Sequence, residues 1–213
     1  LLKSSEMKLS IITINYNGSE DTLNLLKSLD NQTDPAQSLS ADHQPREQAL
    51  GGASKDFEII VVDNASEEDD FKKLSSYPVQ NLIKSDENLG YSGGNNLGIK
   101  KAMNSPAGGG SNPASGGADW VVLLNNDTQV ESDFISVLRA KLQGLEGIVG
   151  IPLIEDDHTA YYGQVAWLKP TLKHGYNPPY SEYLRRNRNY YAIGGGMAIH
   201  SDVFDKIGFL DEK

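Results

Sequence analysis

Short, nearly unbroken apolar runs alternate with amphipathic stretches along most of the chain. Leu9–Ile14 and Phe57–Val62 are apolar and β-branched, Trp120–Leu124 is a third such run, and Val79–Lys84 is a weaker fourth. Continuous runs of this length predict strands buried on both faces rather than on one. Leu23, Leu25, Leu26 and Leu29 predict a helix opening at Ser19, with Glu20 and Asp21 suited to its N-terminal dipole. Phe71 and Leu74 mark a short helix that Asn64 or Ser66 can cap. A further helix runs over roughly Asn95–Met103, and Ser132 caps another carrying Phe134, Ile135, Leu138 and Leu142. Ile148–Ile154 reads as a strand, Ala192–His200 as a Gly-rich strand and Val203–Phe209 as a short helix. Residues 161–189 are rich in Tyr, Pro and Arg without a period and read as loop with short strands.

Strands alternating with helices imply βαβ units, hence an α/β fold with a mainly parallel sheet flanked by helices. Two stretches interrupt the pattern, at about 33–55 and 105–118, where Gly, Ser, Pro, Asn and Gln leave little to bury; both read as flexible insertions. Met7 is a natural start, so residues 1–6 read as an expression-derived or disordered leader, and 7–213 as one domain.

Composition narrows the function. Lys and Arg number 19 against 29 Asp and Glu, a formal charge of -10. Phosphate neutralisation on nucleic acid needs a basic face, so the balance argues against a nucleic-acid partner and disfavours a polybasic membrane surface. An acidic chain can still take an anionic nucleotide where a divalent metal or a helix N-terminus supplies positive field. The absence of cysteine removes disulfides, thiolate metal sites and a thiol nucleophile. Four Asn-x-Ser/Thr sites, at Asn17, Asn31, Asn64 and Asn126, read as chance occurrences.

The polar residues of interest follow the strands directly, and ligands of parallel sheets bind beyond the carboxyl ends of strands. Asp63 reads equally as a ligand contact or as a turn residue capping the next helix. Asp127 ends the most apolar strand, where a carboxylate can help hold Mg²⁺ or Mn²⁺ together with substrate phosphates, or merely shape an Asx turn. The loop from Asn88 to Asn95 carries Gly90, Gly93 and Gly94 and opens a helix, allowing close backbone approach to an anion; it is also an ordinary turn composition. Neither G-x-G-x-x-G nor a phosphate loop ending in Gly-Lys-Ser/Thr occurs, which argues against a dehydrogenase or a P-loop hydrolase. Gly194, Gly195 and Gly196 read as a close-approach floor for a sugar or acceptor, or as a bulged strand. Asp156 and Asp157 read as a solvated turn, and His200 as a packing or surface residue. Tyr161, Tyr162, Trp167 and Tyr180 read as core packing or as sugar-stacking rings.

Taken in order, Ser10 to Gly18, Glu58 to Ser66, Glu87 to Gly98, Val121 to Thr128, Gly194 to His200 and Ile207 to Glu212 resemble the family 2 inverting glycosyltransferases, with the flavour of their rhamnosyltransferase-like branch. The resemblance covers nearly all of the chain from Lys8 onward, outside the two insertions. It implies a GT-A (Rossmann-like) fold, a dTDP- or UDP-linked sugar donor and a glycan or lipid-linked acceptor. It also implies Mn²⁺ or Mg²⁺, a cytoplasmic setting and a role in cell-surface polysaccharide synthesis. By the same resemblance Thr13, Asn15, Tyr16, Asn17 and Asp63 hold base and ribose, while Asn88, Gly90 and Gly93 lie near ribose and diphosphate. Asn125, Asn126 and Asp127 stand where the family has Asp-x-Asp, with Asp127 the expected metal ligand and Asn125 in place of the first carboxylate. The family's general base is expected beyond Lys213, as is any peripheral membrane attachment, so poor transfer by residues 1–213 is expected. A non-catalytic nucleotide-sugar-binding module is the alternative. A sugar nucleotidyltransferase is disfavoured because no Gly-rich loop with a basic residue follows Ile14.

Overall fold

The structure is a computed structural model that describes residues 7–32, 57–104, 117–155, 158–165, 172–175 and 190–213. Both predicted insertions, and with them Asp156, Asp157, Trp167 and Tyr180, lie almost wholly outside the described residues.

Four parallel strands form one side of a six-stranded sheet: β1 (Leu9–Asn15), β2 (Phe57–Asn64), β3 (Asn81–Ser85) and β4 (Trp120–Leu124). Between and after them run α1 (Ser19–Asp30), α2 (Glu68–Ser75), α3 (Gly90–Met103) and α4 (Phe134–Leu142). The later strands are β5 (Ile148–Gly150), β6 (Leu153–Glu155), β7 (His158–Ala160), β8 (Tyr162–Val165), β9 (Leu172–Gly175), β10 (Tyr190–Tyr191) and β11 (Gly196–His200), and α5 (Ser201–Ile207) follows. The sheet order is β3-β2-β1-β4-β11-β5, with β11 antiparallel to both its neighbours. β8, β9 and β10 form a small antiparallel sheet, and β6 pairs with β7.

The unbroken apolar runs are explained by helices on both faces. Leu9, Ile11, Val122 and Leu124 pack against Leu25 and Leu29 of α1 and Ile135, Leu138 and Leu142 of α4. Ile12, Ile60, Val62, Val121 and Leu123 pack against Ile99 and Ala102 of α3 and Phe204 of α5. Successive side chains of a strand point to opposite faces, so each residue's parity decides which helical layer it meets.

Several elements depart from the sequence expectation. α3 begins at Gly90 rather than Asn95, so the Gly-rich segment is its first turn rather than a loop. Gly94 and Gly98 lie so close to β1 that a Cβ on them would stand 3.0 Å from Ile14 and 2.5 Å from Ile12. Tight helix–sheet packing thus explains glycines that helix propensity disfavours. Ile148–Ile154 is two strands in different sheets, broken at Ile151 and Pro152, because proline cannot donate to a ladder. The Gly-rich strand is confined to Gly196–His200, the last helix is shifted to Ser201–Ile207, and the third strand to Asn81–Ser85. Ser19 is the first residue of α1, not its cap; its N–H is capped from outside by Asp70 Oδ1 at 3.0 Å. α2 opens after Glu67, and α4 after Asp133.

Candidate functional site

The chain leaves β1 toward β2 on one side and, after α3, crosses to β4 on the other. β1 and β4 are thus neighbours where the strand order reverses, and a topological switch point of this kind is where α/β sheets carry a ligand crevice. A cleft of about 280 Å³ lies there, lined by Ile14, Tyr16, Asn64, Asn88, Gly90, Tyr91, Asn95, Leu123, Leu124, Asn125, Asn126 and Asp127. Its two tyrosines are exposed, Tyr16 by 52% and Tyr91 by 44%. Among these lining residues are one carboxylate, several amides and no cation.

Parity sorts the residues singled out from sequence. Asn15 and Asp63 are register partners on adjacent strands and share a face, the one covered by α1. Asp63 is 0% exposed; its Oδ1 accepts from Asn15 Nδ2 at 3.0 Å and its Oδ2 from the Ser66 N–H at 3.4 Å. Asn15 Nδ2 also faces Ser66 Oγ at 2.9 Å and Asp70 Oδ2 at 2.8 Å. Thr13, on the same face, is buried with its hydroxyl unpartnered. Thr13, Asn15 and Asp63 thus stand behind the cleft wall and do not line it. Burial raises the Asp70 carboxyl, but hydrogen bonds from Asn15 and Ser19 and the charge of Lys73 together hold it below the ordinary range.

Asn64, one residue on, points to the opposite layer. Its Nδ2 donates to Asn88 Oδ1 at 2.9 Å and to the Gly90 carbonyl at 3.3 Å, and its Oδ1 accepts from the Leu89 N–H at 3.0 Å. Asn88 Oδ1 also accepts from the Gly90 N–H at 2.9 Å. One buried amide thus fixes the entry to α3, placing Gly90 and Tyr91 on the cleft wall. Asn17 adopts φ 53°, a left-handed conformation tolerated by Asn, with its N–H on Ser66 Oγ and its Oδ1 accepting from the Glu67 N–H. Asn17 and Gly93 lie outside the lining; a Cβ on Gly93 would meet Leu89 at 2.6 Å.

The opposite wall is the turn after β4. Asn125 donates its N–H to the Gly195 carbonyl at 3.1 Å, and its own carbonyl accepts from the Thr128 N–H at 3.2 Å and Oγ1 at 2.6 Å. Asn126 Nδ2 reaches Thr22 Oγ1 at 3.2 Å and the Gly18 carbonyl at 3.4 Å. Asp127 is left exposed at the rim. The Tyr91 hydroxyl donates to the Gly194 carbonyl at 2.7 Å, tying α3 to the Gly194–Gly196 turn; burial raises its ionisation above the ordinary tyrosine range. Gly195 and Gly196 are buried against Leu153 and Ile151, and the triplet lies beside Asn125 outside the cleft lining. His200 packs edge-on against Trp120 and caps α5, accepting from the Asp202 N–H; it is a packing residue.

No group of three or more His, Cys, Asp or Glu side chains is placed to hold a metal among the described residues. Asp127 supplies one carboxylate, which fits a Mg²⁺-like ion only if substrate phosphates and water complete the shell. No helix among the described residues is long and apolar enough to cross a membrane.

The sequence expectation missed Asn64, Tyr91 and Asn95 as wall residues. Parity puts Asn64 and Asp63 on opposite faces, but in a strand apolar on both faces it does not say which of them meets the cleft.

Residues 10–208 match the family model described as glycosyl transferase family 2. The chain is 25% identical over 217 residues to the low-salt glycan biosynthesis hexosyltransferase Agl10 of Haloferax volcanii, covering 96% of this chain and 56% of that protein. Among solved structures it resembles S. aureus TarS 1-349, with TM-score 0.56, 14% identity, and coverage of 97% of this chain and 51% of that one. It also resembles the mannosyltransferase PcManGT of Pyrobaculum calidifontis in complex with GDP-Man and Mn²⁺, with TM-score 0.59, 13% identity, and coverage of 99% and 49%. Likeness at that identity shows a common fold. The chain spans about half the length of the relatives it matches.

Proposed function

The chain belongs to glycosyl transferase family 2, and from that premise we propose that its cleft holds a nucleotide-sugar donor whose sugar passes to an acceptor hydroxyl. The observation that carries this reading is the composition of the cleft at the switch point: exposed tyrosines, amides and one rim carboxylate, with no cation among the described lining residues. The tyrosines offer flat apolar surface to a base or sugar ring, and the amides offer donors and acceptors to ribose and sugar hydroxyls. Among the described lining residues none is a cation, and the N-terminal end of α3 and a divalent ion are the positive fields that can meet an anionic diphosphate there. Asp127 would hold that ion, Mn²⁺ or Mg²⁺, with the carbonyl groups of Asn125 and Asn126 as further oxygen donors. Bound there, the ion would stabilise the diphosphate leaving group. The PcManGT complex contains both a nucleotide sugar and Mn²⁺, and a TarS structure with TM-score 0.53 contains UDP, which supports the same reading.

Tyr16, Asn88 and Gly90 contact the nucleotide in this proposal, Asn64 and Asn95 support them, and Gly194–Gly196 border the sugar. Thr13, Asn15, Asn17 and Asp63 act from behind the wall, and Gly93 by packing. The finer reading is a dTDP- or UDP-linked donor, direct displacement with inversion, and a glycan or lipid-linked acceptor met in the cytoplasm. Deprotonation of the acceptor falls to a carboxylate that the family resemblance puts after Asp211 and Glu212. A binding module without transfer is the second reading, favoured by Asn125 standing where a second carboxylate would strengthen metal binding. Incubation with UDP- and dTDP-sugars, Mn²⁺ and a panel of hydroxyl acceptors, with NMR of the product anomer, tests the assignment. An inverted glycoside supports the enzyme, a retained anomer overturns direct displacement, and donor binding without product supports the module.

A further inference from the structure

The cleft's two walls are joined underneath by a hydrogen-bond chain whose central member is Thr22, a helix residue with no motif around it. Thr22 is 0% exposed. Its Oγ1 lies 2.8 Å from Asn15 Oδ1, 3.1 Å from the Gly18 carbonyl and 3.2 Å from Asn126 Nδ2.

The direction of this chain is dictated by the carboxylates at its far end. Asn15 must turn its NH₂ toward Asp63 and Asp70, since those oxygens accept and do not donate. Its carbonyl oxygen therefore faces Thr22, which must give its single hydroxyl hydrogen to that oxygen at 2.8 Å. The Thr22 lone pairs are left to accept from Asn126 Nδ2. The result is an ordered sequence of donors, from Asn126 through Thr22 and Asn15 to Asp63 and Asp70, crossing beneath the ends of β4, β1 and β2. Hydrogen bonds in such a chain polarise one another.

Resting on the functional reading above, we propose that Thr22 is a positioning residue of the donor site. Its hydroxyl holds Asn126, and through it the Asn125–Thr128 turn, so that Asp127 is presented at the rim in one orientation. Two other anchors lie outside the turn: the Asn125 N–H on the Gly195 carbonyl fixes its beginning but not Asn126, and Asn126 Nδ2 reaches the Gly18 carbonyl at 3.4 Å, a longer bond than the 3.2 Å one to Thr22. Valine matches the shape of threonine and lacks the hydroxyl, so Thr22→Val cuts the chain at its centre with little change of volume. Thr22→Ser keeps the hydroxyl.

The test is amide hydrogen exchange of the ligand-free chain, followed by calorimetric titration of UDP and dTDP with and without Mn²⁺. In Thr22→Val, exchange of the Thr128 amide, which is bonded to the Asn125 carbonyl, rises about tenfold while the amides of β1, β2 and β4 keep their protection. The Mn²⁺-dependent gain in nucleotide affinity falls by about the same factor, metal-free affinity changes little, and Thr22→Ser restores both. Asn126→Ala, which severs the chain from its exposed end without touching Asn15, reproduces the local exchange effect if Thr22→Val folds poorly. Unchanged Thr128 exchange in both variants, or loosening spread evenly through the strands, overturns the proposal. If the wild-type chain binds neither nucleotide, the functional reading fails separately, and the exchange data still decide the role of Thr22.

Discussion

Gly98→Ala is the sharpest test of how α3 is held on the sheet. A Cβ at position 98 would stand 2.5 Å from Ile12 Cγ2, whereas carbon atoms rest at about 3.5–4.0 Å. Ile12 is fully buried and β-branched, so Cγ2 cannot swing aside without changing χ1. The helix must therefore lift from β1 or the isoleucine must leave its rotamer. Overpacking of this kind costs about 1–3 kcal/mol, and the helix preference of alanine over glycine returns about 1 kcal/mol. The expected net loss is up to about 2 kcal/mol, or a fall in Tm of up to roughly 8 °C. Gly94→Ala is the internal control, because its Cβ would meet the mobile end of Ile14 at 3.0 Å. Rotation of that end relieves the shortest contact and leaves Cγ2 at 3.3 Å. This milder crowding, set against the helix preference of alanine, keeps stability within about 1 kcal/mol of wild type and above that of Gly98→Ala. Urea denaturation with an unchanged m-value reads both variants. Ile12→Leu removes the γ2 methyl at constant volume, and combined with Gly98→Ala it recovers part of the loss, giving a measurable coupling. Stability clearly above wild type in Gly98→Ala, or no recovery on adding Ile12→Leu, would refute the close-packing account, and the glycines of α3 would then need another explanation.

Two further outcomes follow from the polar clips. Asn64→Ala removes the shared partner of Asn88 and the Leu89 N–H, and costs about 1–3 kcal/mol with faster exchange at Leu89; Asn64→Asp, still able to accept from that N–H, falls between. Asp70 has a depressed carboxyl in the folded chain, so it contributes stability above its ordinary value of 3.8 that is lost as pH falls through the lower folded value. Asp70→Asn should lower stability at neutral pH and flatten the acid limb below that point; an acid limb identical to wild type in urea melts would remove Asp70 from the account.

Much of the fold was legible because the strands β1, β2 and β4 are continuous apolar runs, and the motif residues follow their ends. The same continuity hid what mattered for the site. In a strand buried on both faces nothing in the apolar pattern says which parity meets which helix layer, so Thr13, Asn15 and Asp63 were not separable from Ile14 and Asn64. The start of α3 was missed because glycines read as loop when their packing partner, β1, lies about 80 residues away in the chain. The roles of Ser66 and Asp70 beside Asn15 carry no local signal, because they lie 51 and 55 residues from it in the chain, and Thr22 meets Asn126 only across 104 residues. The break at Pro152 was visible in principle, since proline disfavours a continuous ladder.

The central claim, a donor nucleotide held in the switch-point cleft with a divalent ion on Asp127, is tested most directly by calorimetry. UDP and dTDP are titrated into the wild-type chain and Asp127→Ala, each with and without Mn²⁺. The account predicts that Mn²⁺ raises affinity for at least one of them by about tenfold or more, and that Asp127→Ala abolishes the gain. A folded wild-type chain that binds neither nucleotide in the presence of Mn²⁺ would contradict it.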